Sequence, residues 1–159
     1  MSERAQALAD QFEQANQAVI DAVAAAPDAA WSRVCEGEQC TVAALAYHIA
    51  GAHGPLVEYM ARPIAEGTPL PSISRDQINA LNADNAKQNA NGSKAEALAL
   101  LRDNGAKVAS FLRGLNDDDL ARSAVLPMAG QEMTAEAFIE HVIIGHPRQH
   151  LESMRQAMA

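Results

Sequence analysis

The stretch "GHPRQH", residues 145–150, sets His146 and His150 four positions apart around Pro147. Side chains at i and i+4 of a helix lie about one turn apart on a common face, so two imidazoles in that spacing can reach one cation. Both fall where the helix pattern Ile139, Ile143, His146, His150 and Met154 asks for inward apolar residues. An inward imidazole is costly unless its nitrogens find partners. A hydrogen-bonded pair of core histidines is the plain alternative to a metal pair, and the two spacings alone do not separate them. A third histidine, His48, lies in the apolar stripe "ALAYHIAGA" about a hundred residues upstream. Three inward histidines on facing helices are hard to satisfy with one another. Neutral imidazoles around a divalent cation satisfy all three and leave a coordination position for water or substrate, as in catalytic rather than structural sites.

The elements that must position these side chains read as helices. Alanine is abundant, aromatic residues make up 4%, and no stretch alternates as a strand would, so the sequence predicts an all-α fold. Leu8, Phe12, Ala15, Val19 and Val23 form one apolar stripe that ends before Pro27. A loop with Trp31, Cys35 and Cys40 follows, and Thr41 caps a second helix, "VAALAYHIAGAHGPLVEYMA", closed by Arg62-Pro63. The Pro-, Gly- and Ser-rich stretch at 63–73 reads as a crossover. Ser74 with Gln77 and Ser93 with Glu96 have capping-box spacing, which predicts helices at about 75–90 and 94–115. Leu98, Leu101, Gly105, Val108, Leu112 and Leu115 make an antiparallel packing seam on the second of these. "NDDDLAR" reads as a short capped turn, "LPMAGQEM" as a loop, and Thr134 caps the last helix. Four main helices with a long crossover between the second and third make a four-helix bundle, one domain spanning residues 1–159.

Composition excludes several functions. Twelve Lys and Arg against 20 Asp and Glu give a net charge of −8, which repels phosphate backbones and anionic lipid, so neither nucleic acid nor membrane is an expected partner. No leader and no membrane-length apolar run are evident, and a cytoplasmic protein is expected. Two cysteines are too few for a disulfide framework, so Cys35 and Cys40 read as reduced thiols in a loop rather than a small bridge.

The chain resembles the DinB-like four-helix bundles, which include the N-terminal domains of mycothiol-dependent maleylpyruvate isomerases. The resemblance rests on "TVAALAYHIAGA", "SRDQINALNADNAK" and "EHVIIGHPRQHLESMR" and covers essentially the whole chain. It implies a divalent metal, zinc or nickel, held by His48, His146 and His150. It also implies a thiol-dependent S-transferase or isomerase acting on a small electrophile, with a low-molecular-weight thiol as cosubstrate, and a homodimer. The alternatives are a metal-dependent hydrolase and a non-catalytic, stress-linked binding protein. No general base emerges from the sequence. Two features depart from the family pattern: Pro147 inside the HxxxH, and Gly54-Pro55 in the second helix after His48.

Other polar residues have weaker claims on the site. His141 and His53 lie about 140° around their helices from His146 and His48, and surface or structural roles are expected for both. Asn82 and Asp84 are candidate lining residues of the crossover. Glu140 and Glu152 could accept an imidazole N–H, although exposed helix-face positions suit them better. At Pro147, either the freed Ile143 carbonyl turns to the site and accepts a hydrogen bond from a ligand imidazole, or Gly145 ends one helix and the proline begins another.

Overall fold

The computed structural model describes residues 2–159. Helix α1 (Glu3–Ala25) starts at Ser2, whose hydroxyl accepts from the Ala5 N–H. A single turn, α2 (Asp28–Trp31), leads into a hairpin of β1 (Val34–Cys35) and β2 (Cys40–Thr41). Helix α3 (Val42–Leu56) is capped by Thr41 as expected, and it continues through a π-helical segment, Val57–Ala61, into α4 (Arg62–Glu66). The crossover carries α5 (Arg75–Gln88), and α6 (Lys94–Arg113) follows. A short helix α7 (Asp117–Ala121) and a second hairpin, β3 (Ser123–Val125) with β4 (Glu132–Thr134), precede the last rod. That rod is α8 (Ala135–Phe138), a π-helical segment at Ile139–Ile144, and α9 (Gly145–Met158).

The four long rods close a ring in which α6 packs on α1 and α3, and α9 packs on the same two from the other side. This is the expected all-α four-helix bundle with its long crossover. Among the described residues no helix is long and apolar enough to cross a membrane.

Three local expectations need correction. Arg62-Pro63 does not end the second helix. Pro63 occupies the first turn of α4, where a missing N–H costs little, its ring is buried, and the stop comes at Gly67, whose φ of 71° suits glycine. The region read as free of strands contains the two hairpins, whose strands of two and three residues are too short to show a period of two. At Pro147 the Ile143 carbonyl does not turn onto an imidazole, and the alternative is the one seen, a boundary at Gly145 with the proline in the first turn that follows. The π-helical segment widens the rod first, and α9 begins at Gly145, so the proline falls in the first turn of the new α register.

The core has two apolar clusters, one around Phe12, Ile64, Leu112 and Ile139, the other around Val19, Leu45, Leu101 and Met154. Where they meet, the helices carry small or polar residues: Asn16 on α1, His53 on α3, Gly105 on α6 and His146 on α9. His53 Nε2–H donates to Asn16 Oδ1 at 2.8 Å, and Asn16 Nδ2–H donates to the Leu101 carbonyl at 2.9 Å. Gly105 is required there, because a Cβ would stand 2.2 Å from Asn16 Nδ2. His53 is thus a satisfied core histidine, with the structural role expected of it.

Candidate metal centre

The ring order sets α3 beside α9, and this adjacency brings His48 to the HxxxH pair. His146 Nε2 lies 3.1 Å from His48 Nε2 and 3.1 Å from His150 Nε2. One nitrogen from each of the three histidines falls within 4.8 Å of the other two, an arrangement that could hold a metal ion.

Proton accounting favours a cation over a hydrogen-bonded cluster. His150 Nδ1–H donates to Glu38 Oε1 at 2.8 Å, and in a neutral ring that bond makes His150 Nε2 the lone pair. His146 Nε2 then either donates to His150, leaving His48 to share that one proton, or accepts from His48, leaving two lone pairs face to face. With all three rings neutral, as metal ligands must be, one of the two close N···N contacts lacks a proton of its own. A divalent ion ~2.0–2.1 Å from each nitrogen of a tetrahedral set would separate them by ~3.3 Å, close to the spacing seen. The residues present therefore fit a divalent metal.

Electrostatics agree. Burial, with His150 adding to it, lowers the His48 pKa against the opposing pull of Glu38. Burial, followed by His150, His48 and His53, pushes His146 down to about 3. Both imidazoles are neutral near pH 7, as ligands must be. His146 Nδ1 is buried without a hydrogen-bond partner, so no carboxylate or carbonyl orients that ring.

Glu38, which meets His150, is the residue of this cluster that the sequence reading missed. It sits in the β1–β2 turn, where the N–H groups of Glu38 and Gln39 both donate to the Cys35 carbonyl at 3.0 Å. Gln39 takes a φ of 56°, a left-handed conformation uncommon outside glycine. The sign available in the sequence was a tight turn between two short β-capable stretches, with two acidic residues, Glu36 and Glu38, inside it. Carboxylate–imidazole pairs of this kind fix the tautomer and orientation of a ligand histidine.

The other candidates separate clearly. His141 is exposed on the π-helical segment, and Glu140 and Glu152 are exposed, so neither carboxylate meets the imidazoles of His48, His146 or His150. Asn82 lines the cleft beside the histidines and Asp84 does not. Cys35 and Cys40 are free thiols paired across the hairpin, and Cys40 borders the cleft.

That cleft has a volume of about 800 Å³ and opens beside the three histidines. Helix α5 forms one wall, held to α3 by Asn85 Nδ2–H donating to the Ala44 carbonyl at 2.9 Å. The π-helical segments contribute Tyr59, Met60 and Val142, so the widened turns on both histidine-bearing rods face the same space.

Comparison with known proteins gives a consistent picture. YfiT from Bacillus subtilis, described as "a probable metal-dependent hydrolase with an unusual four-helix bundle topology", superposes with a TM-score of 0.78 at 18% sequence identity, over 99% of this chain and 87% of that one. Among curated proteins, no sequence matches this chain. Residues 11–154 match the DinB superfamily, and the span takes in all three histidines and Glu38. The chain belongs to the DinB superfamily.

Proposed function

We propose that this protein is a metal-dependent enzyme in which His48, His146 and His150 hold a divalent ion and a small electrophile binds in the adjoining cleft. The observation that carries this reading is the convergence of three imidazole Nε2 atoms at the side of an open cleft, with no fourth protein ligand beside them. Imidazole donors suit zinc and nickel. Such an ion would supply Lewis acidity, lowering the pKa of a thiol or water brought to it.

The chain's own groups favour transfer to or from a low-molecular-weight thiol. Glu38 is the one carboxylate that borders the cleft among the described residues, and His150 already occupies it. No carboxylate is left free to take a proton from water. A thiol, with an ordinary pKa of ~8.5, needs far less help to ionise near neutrality. The cleft volume, about 800 Å³, lies in the upper part of the range for small-molecule sites and leaves room for a thiol and its electrophile together. Metal-dependent hydrolysis is the second reading, and the description of YfiT favours it.

Elemental analysis of protein purified without a histidine tag tests the centre. One divalent ion per chain is expected, lost on His48→Ala, His146→Ala or His150→Ala and kept on His141→Ala. Protein that neither contains nor takes up zinc or nickel overturns the assignment. With metal bound, a screen of thiol and electrophile pairs should consume both in a metal-dependent way. Turnover that is equal without thiol selects hydrolysis, and no turnover across the screen selects a binding protein.

A further inference from the structure

The cleft beside the histidines carries little of the charge found on the rest of this acidic chain. None of its lining residues is Lys or Arg, and its ionisable side chains are Glu38, Cys40, Tyr59 and the three histidines themselves. The chain's cations lie elsewhere: Arg62 and Lys107, for instance, border a separate hollow with Glu66 and Asp119. The walls are instead Leu45, Leu56, Met60, Ile78, Phe138 and Val142. At the rim Tyr59, Leu81 and Met128 are exposed by 60%, 61% and 47%, apolar surface that the bundle leaves uncovered.

The polar groups present are of one kind. Gln77, Asn82 and Asn85 come from α5, and Ser72 from the crossover, all of them neutral donors and acceptors. Asn85 already spends its Nδ2–H on the Ala44 carbonyl and its Oδ1 on Asn89. Away from the three histidines, a carboxylate, phosphate or sulfonate on the tail of a bound molecule would lose its hydration among these walls and meet no Lys or Arg, while Glu38 and the overall charge of −8 would repel it. An apolar body meets complementary walls throughout.

We infer that the substrate carried by this cleft is an uncharged molecule with a mainly apolar body, presenting one polar group to the three histidines. This rests on the metal-centre reading and narrows it: electrophiles bearing an anionic tail are excluded, and an alkyl or aryl chain is accepted. Length discriminates as well, because each buried methylene contributes about a fourfold gain where burial is complete.

Three hydroxamates with one metal-binding head test the inference on the zinc-loaded full-length protein: acetohydroxamate, octanohydroxamate and suberic acid monohydroxamate. The head is common to all three, so differences report the tail alone. Titration calorimetry should give octanohydroxamate at least about 30-fold tighter than acetohydroxamate, less than full burial of six methylenes would yield because binding also orders the chain. The ω-carboxylate of the suberic compound should cost about tenfold or more. Leu81→Asp, at an exposed rim position, should weaken octanohydroxamate without changing acetohydroxamate. Equal affinities for the methyl and heptyl tails, or a suberic compound as tight as the octanoyl one, overturn the inference while leaving the metal centre standing. Failure of all three to bind removes the metal centre instead. The neutral dye N-phenyl-1-naphthylamine then decides the cleft: a fluorescence gain lost in Leu81→Asp supports an apolar occupant, and no gain overturns it. Dye binding that falls as protein concentration and sedimentation coefficient rise also overturns it, since the apolar rim would then belong to a second copy of the chain.

Discussion

Replacing Glu38 with alanine removes the acceptor of His150 Nδ1–H and nothing else that the bundle needs. The bond is 2.8 Å long, and the two side chains are 14% and 21% exposed, so it is shielded but within reach of water. A hydrogen bond to a charged group contributes roughly 1.5–3 kcal/mol. Partial exposure puts this one toward the lower end, since water can replace Glu38 as acceptor in the variant. About 1.5–2 kcal/mol corresponds to a loss of roughly 10- to 30-fold in metal affinity, within the 10- to 100-fold range typical of partners that orient a ligand histidine. Glu38→Gln keeps an acceptor oxygen and loses only the charge, so its loss should be a few-fold. Folding stability should change by less than about 1 kcal/mol in either variant, because the turn lies at the edge of the bundle. Competition for zinc against a chromophoric chelator at neutral pH reads the affinity, and thermal unfolding of the metal-free proteins reads the fold. The reasoning is refuted if Glu38→Ala keeps parental affinity with an intact fold, for packing on α9 would then suffice to aim His150. It is also refuted if Gln and Ala behave alike.

Three further outcomes are expected. Gly105→Ala should lower stability by roughly 2–4 kcal/mol, visible as a drop in Tm, because its Cβ would stand 2.2 Å from Asn16 Nδ2 and force Asn16 off both the Leu101 carbonyl and His53; an unchanged Tm would mean that the buried layer shifts freely. Burial pushes His53 down to about 4 from its ordinary 6.5, so between those values the unfolded chain binds more protons than the folded one, and stability rises with pH. The His53 contribution is fully present above pH 6.5 and falls away toward pH 4 by about 3 kcal/mol; urea unfolding of parent and His53→Gln across that window should show the slope flattened in the variant, and parallel slopes would count against it. Burial raises the Cys35 thiol to about 11, and its side chain is 1% exposed, so alkylation by iodoacetamide near neutral pH should leave Cys35 unmodified until the protein unfolds; mass spectrometry that finds rapid labelling would show that the hairpin opens.

Much of the architecture could be read from the chain because it is specified locally. Thr41, Ser74, Ser93 and Thr134 all cap the helices expected of them, and each cap is a contact over three residues. The apolar stripe of α1 and the i, i+4 spacing of His146 and His150 follow from a helical period of 3.6, which a sequence displays directly. The chain by itself therefore specified four rods, their approximate ends, and an inward pair of imidazoles with His48 as the candidate third.

Which surfaces meet was decided only on packing. Glu38 and His150 are 112 residues apart, and nothing in the local pattern of either marks the other as a partner. Asn16 reads from the sequence as one polar residue among several on α1. It becomes the centre of a buried layer only because α3 brings His53 to it and α6 brings Gly105, whose missing side chain makes the space. The Pro63 reading failed for a similar reason, since a proline that stops an ideal α-helix is harmless just after a π-helical segment, and that widening is visible only in the folded rod. Periodicity fixes what a residue does within one turn of its own helix. The neighbour it meets across the bundle depends on the rotation and height of every other rod, and that information exists only once the core has closed.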